Sequence, residues 1–146
     1  MENSNFTKNN AYGSGGAIFS DNANIKNTRF VKNNSTNGGA FISENGDVNE
    51  SEFISNTAFD GAAIDCDTLS IDNSLFDDND ARSFGVIYTV DATIKNSEFK
   101  DNIALEDKQI FALNSLNLIN TDVPPHEAIK ATTTPDLVIN ITELES

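Results

Sequence analysis

Apolar side chains along this chain come in short runs that alternate with polar ones, and the runs return at a fixed interval. Phenylalanine stands at Phe6, Phe30, Phe53, Phe76 and Phe99, 24 residues apart in the first interval and 23 in the next three. The same residue types recur around each one. An asparagine follows three positions later (Asn9, Asn33, Asn56, Asn79, Asn102) and a hydroxyl precedes by two (Ser4, Thr28, Ser51, Ser74, Ser97). Ile25, Val48, Ile71 and Ile94 stand five positions before the later phenylalanines, and a small residue follows each phenylalanine by five (Ala11, Ser35, Ala58, Ala81, Ala104). The second half of each unit reads Gly15-Gly16-Ala17-Ile18, Gly38-Gly39-Ala40-Phe41, Gly61-Ala62-Ala63-Ile64 and Gly85-Val86-Ile87, decaying to Lys108-Gln109-Ile110. Ile18, Phe41, Ile64, Ile87 and Ile110 thus share a register, as do Ser20, Ser43, Cys66, Thr89 and Ala112 two positions on. A sixth unit begins with Leu118, Asn120, Thr121 and Val123 and stops at Pro124-Pro125.

Alternation at period two over three to six residues places side chains on opposite faces of short strands. Glycine and asparagine punctuate the runs too often for a helix of useful length. Stacked helical pairs need about 33 residues or more per repeat, and the leucine frame of leucine-rich repeats is missing. A coil of about 23 residues, with three short strands and three bends, closes one rung of a solenoid, and rungs stack in parallel about 4.8 Å apart. The spacing therefore predicts an all-β fold, a right-handed single-stranded parallel β-helix of about five coils over residues 1–125, with 126–146 as linker and C-terminal strand. Stacked phenylalanines and isoleucines fill the interior. The asparagines are expected to sit at bends, where they can tolerate left-handed backbone angles, and to bond their amides from rung to rung.

If Ile18, Phe41, Ile64, Ile87 and Ile110 point inward, the residues after them point out: Phe19, Ile42, Asp65, Tyr88 and Phe111. The residues before them, Ala17, Ala40, Ala63, Val86 and Gln109, are expected to face outward too. A solvated sheet face should be polar; this one is mostly apolar and aromatic, which makes Phe19, Ile42, Tyr88 and Phe111 the candidate ligand-binding ladder. Past Pro125, residues 126–134 read as a linker ended by Pro135. Leu137, Ile139 and Ile141 then alternate with Val138, Asn140 and Thr142 as a strand does. That strand either begins a following sandwich or folds back on the β-helix, where it is the nearest candidate cover for the ladder.

Composition narrows the functional classes. With 23 acidic against 9 basic residues the net charge is −14, and no basic patch interleaved with aromatics exists, so nucleic acid and anionic membrane are disfavoured as partners. No run is long and apolar enough to insert in a membrane. The single cysteine, Cys66, excludes an intrachain disulfide and reads as a small buried thiol. The chain enters the repeat mid-coil with no capping element and no leader pattern, which reads as a piece of a longer protein whose open first rung offers self-association.

Candidate chemistry is sparse. Asn120-Thr121-Asp122 and Asp77-Asp78 are similar to two short acidic motifs of β-helical polygalacturonases, but the Gly-His-Gly and Arg-Ile-Lys partners are absent and Asn120-Thr121 is the repeat's own cadence. A lyase-like site would need Asp65, Asp67 and Asp72 beside a base such as Arg29 or Arg82. Asp77, Asp78, Asp80 and Asp101 have the hard oxygens calcium prefers, without an EF-hand loop or nonapeptide repeat. His126, the one histidine, leaves no partner for a His-based metal site or a triad. No catalytic group, metal or cofactor is implied. Glycosylation sequons at Asn5, Asn33, Asn34, Asn49 and Asn140 are permissive only.

Repeated Phe-x-x-Asn paired with Gly-Gly-Ala-Ile resembles the repeat of chlamydial polymorphic outer-membrane proteins. The Asn-Ser/Thr-x-Phe-x-x-Asn-x-Ala cadence is more similar still to adhesin-like proteins of methanogenic archaea. The likeness spans about residues 2–123, with a full Gly-Gly-Ala-Ile present once and no autotransporter barrel. It implies an extracellular, cell-surface protein in which β-helical repeats precede immunoglobulin-like domains, so that the tail would begin such a domain. It also implies a non-enzymatic role in adhesion to a host or neighbouring-cell surface protein or glycan. The other readings that stay open are a carbohydrate-active β-helix and a structural stalk.

Overall fold

The computed structural model describes residues 1–105, 108–124 and 138–142. The expected linker, His126 and Leu137 lie outside the described residues. Within them the chain is a parallel β-helix, and its coils lay down three sheets along the stack.

The first sheet carries the phenylalanines. Its strands are β1 (Asn5–Thr7), β3 (Arg29–Val31), β5 (Glu52–Ile54), β8 (Leu75–Asp77) and β11 (Glu98–Lys100). Parallel pairing sets Phe6, Phe30, Phe53, Phe76 and Phe99 directly over one another. Successive ring centroids lie 5.1, 5.0, 4.8 and 4.6 Å apart, with ring planes within 8° of parallel. Rungs at strand spacing bring the rings to stacking distance, and each stacked pair adds about 0.5–1.5 kcal/mol beyond area burial. Val123, buried, takes the sixth phenylalanine position.

The second sheet is short and lined by small residues: β6 (Thr57–Asp60), β9 (Asp80–Phe84) and β12 (Ile103–Ala104). Ala81 and Ala104 from this sheet and Ala62 from the corner after β6 form a small core cluster. The third and longest sheet comprises β2 (Ile18–Lys26), β4 (Phe41–Asn49), β7 (Ile64–Asp72), β10 (Ile87–Lys95), β13 (Ile110–Ile119) and β14 (Val138–Thr142). In β2, β4 and β7 the alternation breaks mid-strand, where two successive residues, such as Glu44 and Asn45, are exposed.

Left-handed backbone falls one position before each ladder asparagine, at Lys8, Lys32, Ser55, Asp78 and Asp101, with φ between 52° and 58°. A side chain there costs about 1–2 kcal/mol, and the following asparagine holds the turn. Asn33 donates its backbone N–H to Asn56 Oδ1 and its amide to Asn56 Oδ1 and the Phe6 carbonyl, all at 3.0 Å. The hydroxyls form a second relay. Ser51 Oγ accepts the Thr28 N–H at 3.2 Å and donates to the Asn49 carbonyl at 2.7 Å, and Ser74 and Ser97 repeat the arrangement. At the glycine corner, a Cβ on Gly39 would sit 1.9 Å from the Ala62 carbonyl oxygen, so only glycine fits against the next coil.

The tail strand does not lie over the outward ladder. β14 pairs in parallel with β13, from Ser115↔Val138 to Ile119↔Thr142, and extends the long sheet by one rung. The edge of β13 presents unpaired backbone groups that a parallel strand satisfies better than a crossing one.

Candidate functional site

The long sheet builds the site. In β2, β4, β7, β10 and β13 the first residue points in and the second out, and pairing aligns Phe19, Ile42, Asp65, Tyr88 and Phe111 on successive rungs. Phe19 is 73% exposed and the other four are half-buried. The residues before the inward position do not join this face. Ala40, Ala63 and Val86 are fully buried in the core and Gln109 is nearly so, while Ala17 packs against the core from a half-buried position. They stand in the corner before each strand begins, so the two-residue alternation does not reach them.

Phe84 joins the ladder and was not singled out from the sequence. Ala58 pairs with Ala81, but Asp60 pairs with Phe84, so β9 carries one extra residue. The corner after it is one shorter: Gly61 precedes Ile64 by three, Gly85 precedes Ile87 by two. The compensation brings the Phe84 ring 4.6 Å from Phe111 and 6.2 Å from Tyr88, tilted at 53° and 52°. Tyr88 and Phe111 stack at 5.4 Å, 9° from parallel. The truncated glycine motif was the signal.

Carboxylates border the rings. Asp65 precedes Tyr88 by one rung and Asp60 precedes Phe84 by one rung. Burial, then the charges of Asp60 and Asp67, push the Asp65 carboxyl up from 3.8 to about 6. Burial and the same three aspartates raise the Tyr88 phenol. Asp60 Oδ1 is buried without a hydrogen-bond partner. A cleft of about 180 Å³ runs among Phe19, Ile42, Glu44, Asp65 and Asp67.

The raised carboxyl carries a stability prediction. Asp65 binds its proton more tightly folded, at about 6, than at its ordinary 3.8. Between those values the folded chain holds a proton that the unfolded chain has lost, so stability from this group rises as pH falls through the window. Asp65→Asn removes the cost of ionisation. Its melting temperature is expected to exceed the parent's at about pH 7 and to meet it at about pH 3.5. A variant less stable than the parent at neutral pH would contradict the burial of an uncompensated charge.

Other sequence candidates are dispersed. Asp77 lies 3.5 Å from the Lys100 ammonium and Asp78 accepts the Ser55 hydroxyl at 2.8 Å, and no three metal-ligating groups converge among the described residues. Asp72 accepts the Asn96 amide at 2.9 Å, Arg29 pairs with Glu52 at 2.6 Å, and Arg82 lines a separate groove of about 250 Å³ beside Tyr12 and Phe59. Neither arginine is beside Asp65 and Asp67 as a lyase base would be. Asn120 gives its amide to Asn96 Oδ1 at 2.9 Å, a rung-to-rung bond. The Asn33 sequon is fully buried.

Cys66 is buried, 3.4 Å from the Ser43 hydroxyl, with burial foremost in pushing its thiol up to about 11. The native protein is expected not to react with a thiol-specific maleimide at about pH 8, and to react fully once unfolded in guanidinium. Rapid labelling of the native state would place the thiol outside the core. Compared with protein-family models, with curated proteins and with solved structures, the chain matches none.

Proposed function

We propose that the chain is a non-catalytic β-helical module of a microbial cell-surface adhesin-like protein, carried outside the cell and serving adhesion to other cells or their surface glycans. The observation that supports this reading is the outward ladder. Phe19 and Ile42 on two rungs, and Tyr88 and Phe111 with Phe84 beside them on two more, put apolar and aromatic side chains on either side of Asp65, on a sheet face that would be polar if it served only solvent. Aromatic rings at such spacing suit both protein side chains and the apolar faces of sugars.

A rigid stalk is the competing reading, favoured by the continuous asparagine and hydroxyl relays, which stiffen the stack without presenting anything. Replacing Tyr88 and Phe111 together by serine separates the two. The double variant, immobilised on a surface, is expected to lose capture of whole cells and of glycan arrays that the parent retains, with its denaturation midpoint little changed. Unaltered capture would remove the ladder as a binding site and leave the stalk. Turnover of a polyuronate panel by the parent would overturn the non-catalytic assignment.

A further inference from the structure

The rings and the carboxylates share adjoining rungs, and the two chemistries have one complement. Phe84 stands at more than 50° to both members of the stacked Tyr88–Phe111 pair, so three rings form a corner with π-faces turned in two directions. Asp65 and Asp60 border that corner one rung before Tyr88 and Phe84. Negative charge gathers there: Asp60 Oδ1 is buried with no hydrogen-bond partner, the charges of Asp60 and Asp67 act on Asp65, and the Arg29–Glu52 and Lys100–Asp77 ion pairs lie elsewhere. Three groups suited to a metal ion do not converge among the described residues. A flat, delocalised cation fits better, because a guanidinium stacks on aromatic faces and donates a two-pronged hydrogen bond to a carboxylate at its edge.

We propose that the Phe84–Tyr88–Phe111 corner and the Asp60, Asp65 and Asp67 carboxylates form a docking site for an arginine side chain of a partner polypeptide. The inference rests on reading this face as the binding surface and gives that surface a partner chemistry. The rings stack on the guanidinium plane while the carboxylates accept its N–H groups. The net charge of −14 speeds the approach of any basic chain; the ring corner is what selects arginine at this place.

The test is titration of isotope-labelled protein, at about 150 mM salt to screen general attraction, with a short peptide of alternating arginine and glycine. Amide shifts are expected to centre on Asp60, Asp65, Tyr88 and Phe111. Tyr88→Ser and Asp65→Asn are each expected to weaken the peptide about tenfold. Asp47→Asn, also on the long sheet but lining a different groove, is expected to leave it unchanged. The lysine counterpart should bind less tightly. No binding, equal loss from Asp47→Asn, no loss from Tyr88→Ser, or equal binding of the lysine peptide would each overturn the inference. Cell capture separates this from the adhesive reading. If the parent ignores the peptide but the serine double variant loses capture, the face stands and the arginine partner falls. If the peptide binds as described while capture survives the double variant, the arginine site stands and adhesion through this face falls.

Discussion

Phe53→Ala is expected to lower the free energy of unfolding by about 3–5 kcal/mol, and Phe6→Ala by clearly less. Phe53 is fully buried and stacks on Phe30 at 5.0 Å and Phe76 at 4.8 Å, with Phe41 tilted against its edge at 6.1 Å. Truncation removes contacts on three sides, and the cavity cannot close, because backbone pairing fixes the rung spacing on either side of it. Phe6 stacks on one ring only and is half-buried. Its loss leaves an open end that water or local fraying can fill. Urea titration of both variants, followed by far-ultraviolet dichroism, checks the difference through the midpoint at constant slope. Equal midpoints would mean that the first coil packs as tightly as the third.

The contrast between ladders shows what could be read along the chain. The interior was legible because parallel stacking maps one coil onto the next without rotation. A residue type recurring every 23 positions must then lie over itself, and Phe30, Asn56 and Ile71 needed only that rule. The outward ladder was legible by the same step plus alternation. What escaped was local. Ala40 and Val86 precede the strands, so the pleat said nothing about them. Phe84 depends on an extra residue in β9 balanced by a missing one in the corner, and neither changes the 23-residue interval from Ile64 to Ile87. The exposed strip at Tyr12, Phe59 and Leu105 escaped for a different reason. These residues follow their phenylalanines by six, but Thr36 and Arg82 occupy the same position in the alternate coils and hide the apolar pattern. Asp60 and Asp65, five residues apart on different sheets, meet only because the corner at Gly61 folds one toward the other.

Asn56→Ala is expected to cost about 2–3 kcal/mol, because a buried amide that bridges three coils leaves its partners unmet. The Asn56 side chain makes four bonds. Its amide donates to the Phe30 carbonyl at 3.0 Å and to Asn79 Oδ1 at 3.1 Å, and its oxygen accepts the Asn33 N–H and the Asn33 amide, both at 3.0 Å. Alanine leaves the buried Asn33 N–H without this partner, at about 1–3 kcal/mol, and takes from the Phe30 carbonyl the second of its bonds, the first being the strand pairing with β5. The turn loses its clamp as well, since Ser55 holds a φ of 55° directly before it. Asn9→Ala is the control. Asn9 is half-buried, and its amide donates to Asn33 Oδ1 at 2.8 Å with no earlier coil bonded to it, so alanine there orphans no buried backbone group. Hydrogen exchange gives the sharper readout: in Asn56→Ala the Asn33 amide should exchange orders of magnitude faster than in the parent, while amides in β13 keep their protection. If Asn33 stays protected and the midpoint barely moves, water must replace the amide in the ladder, and the asparagines would be fillers of the bend and not its clamp.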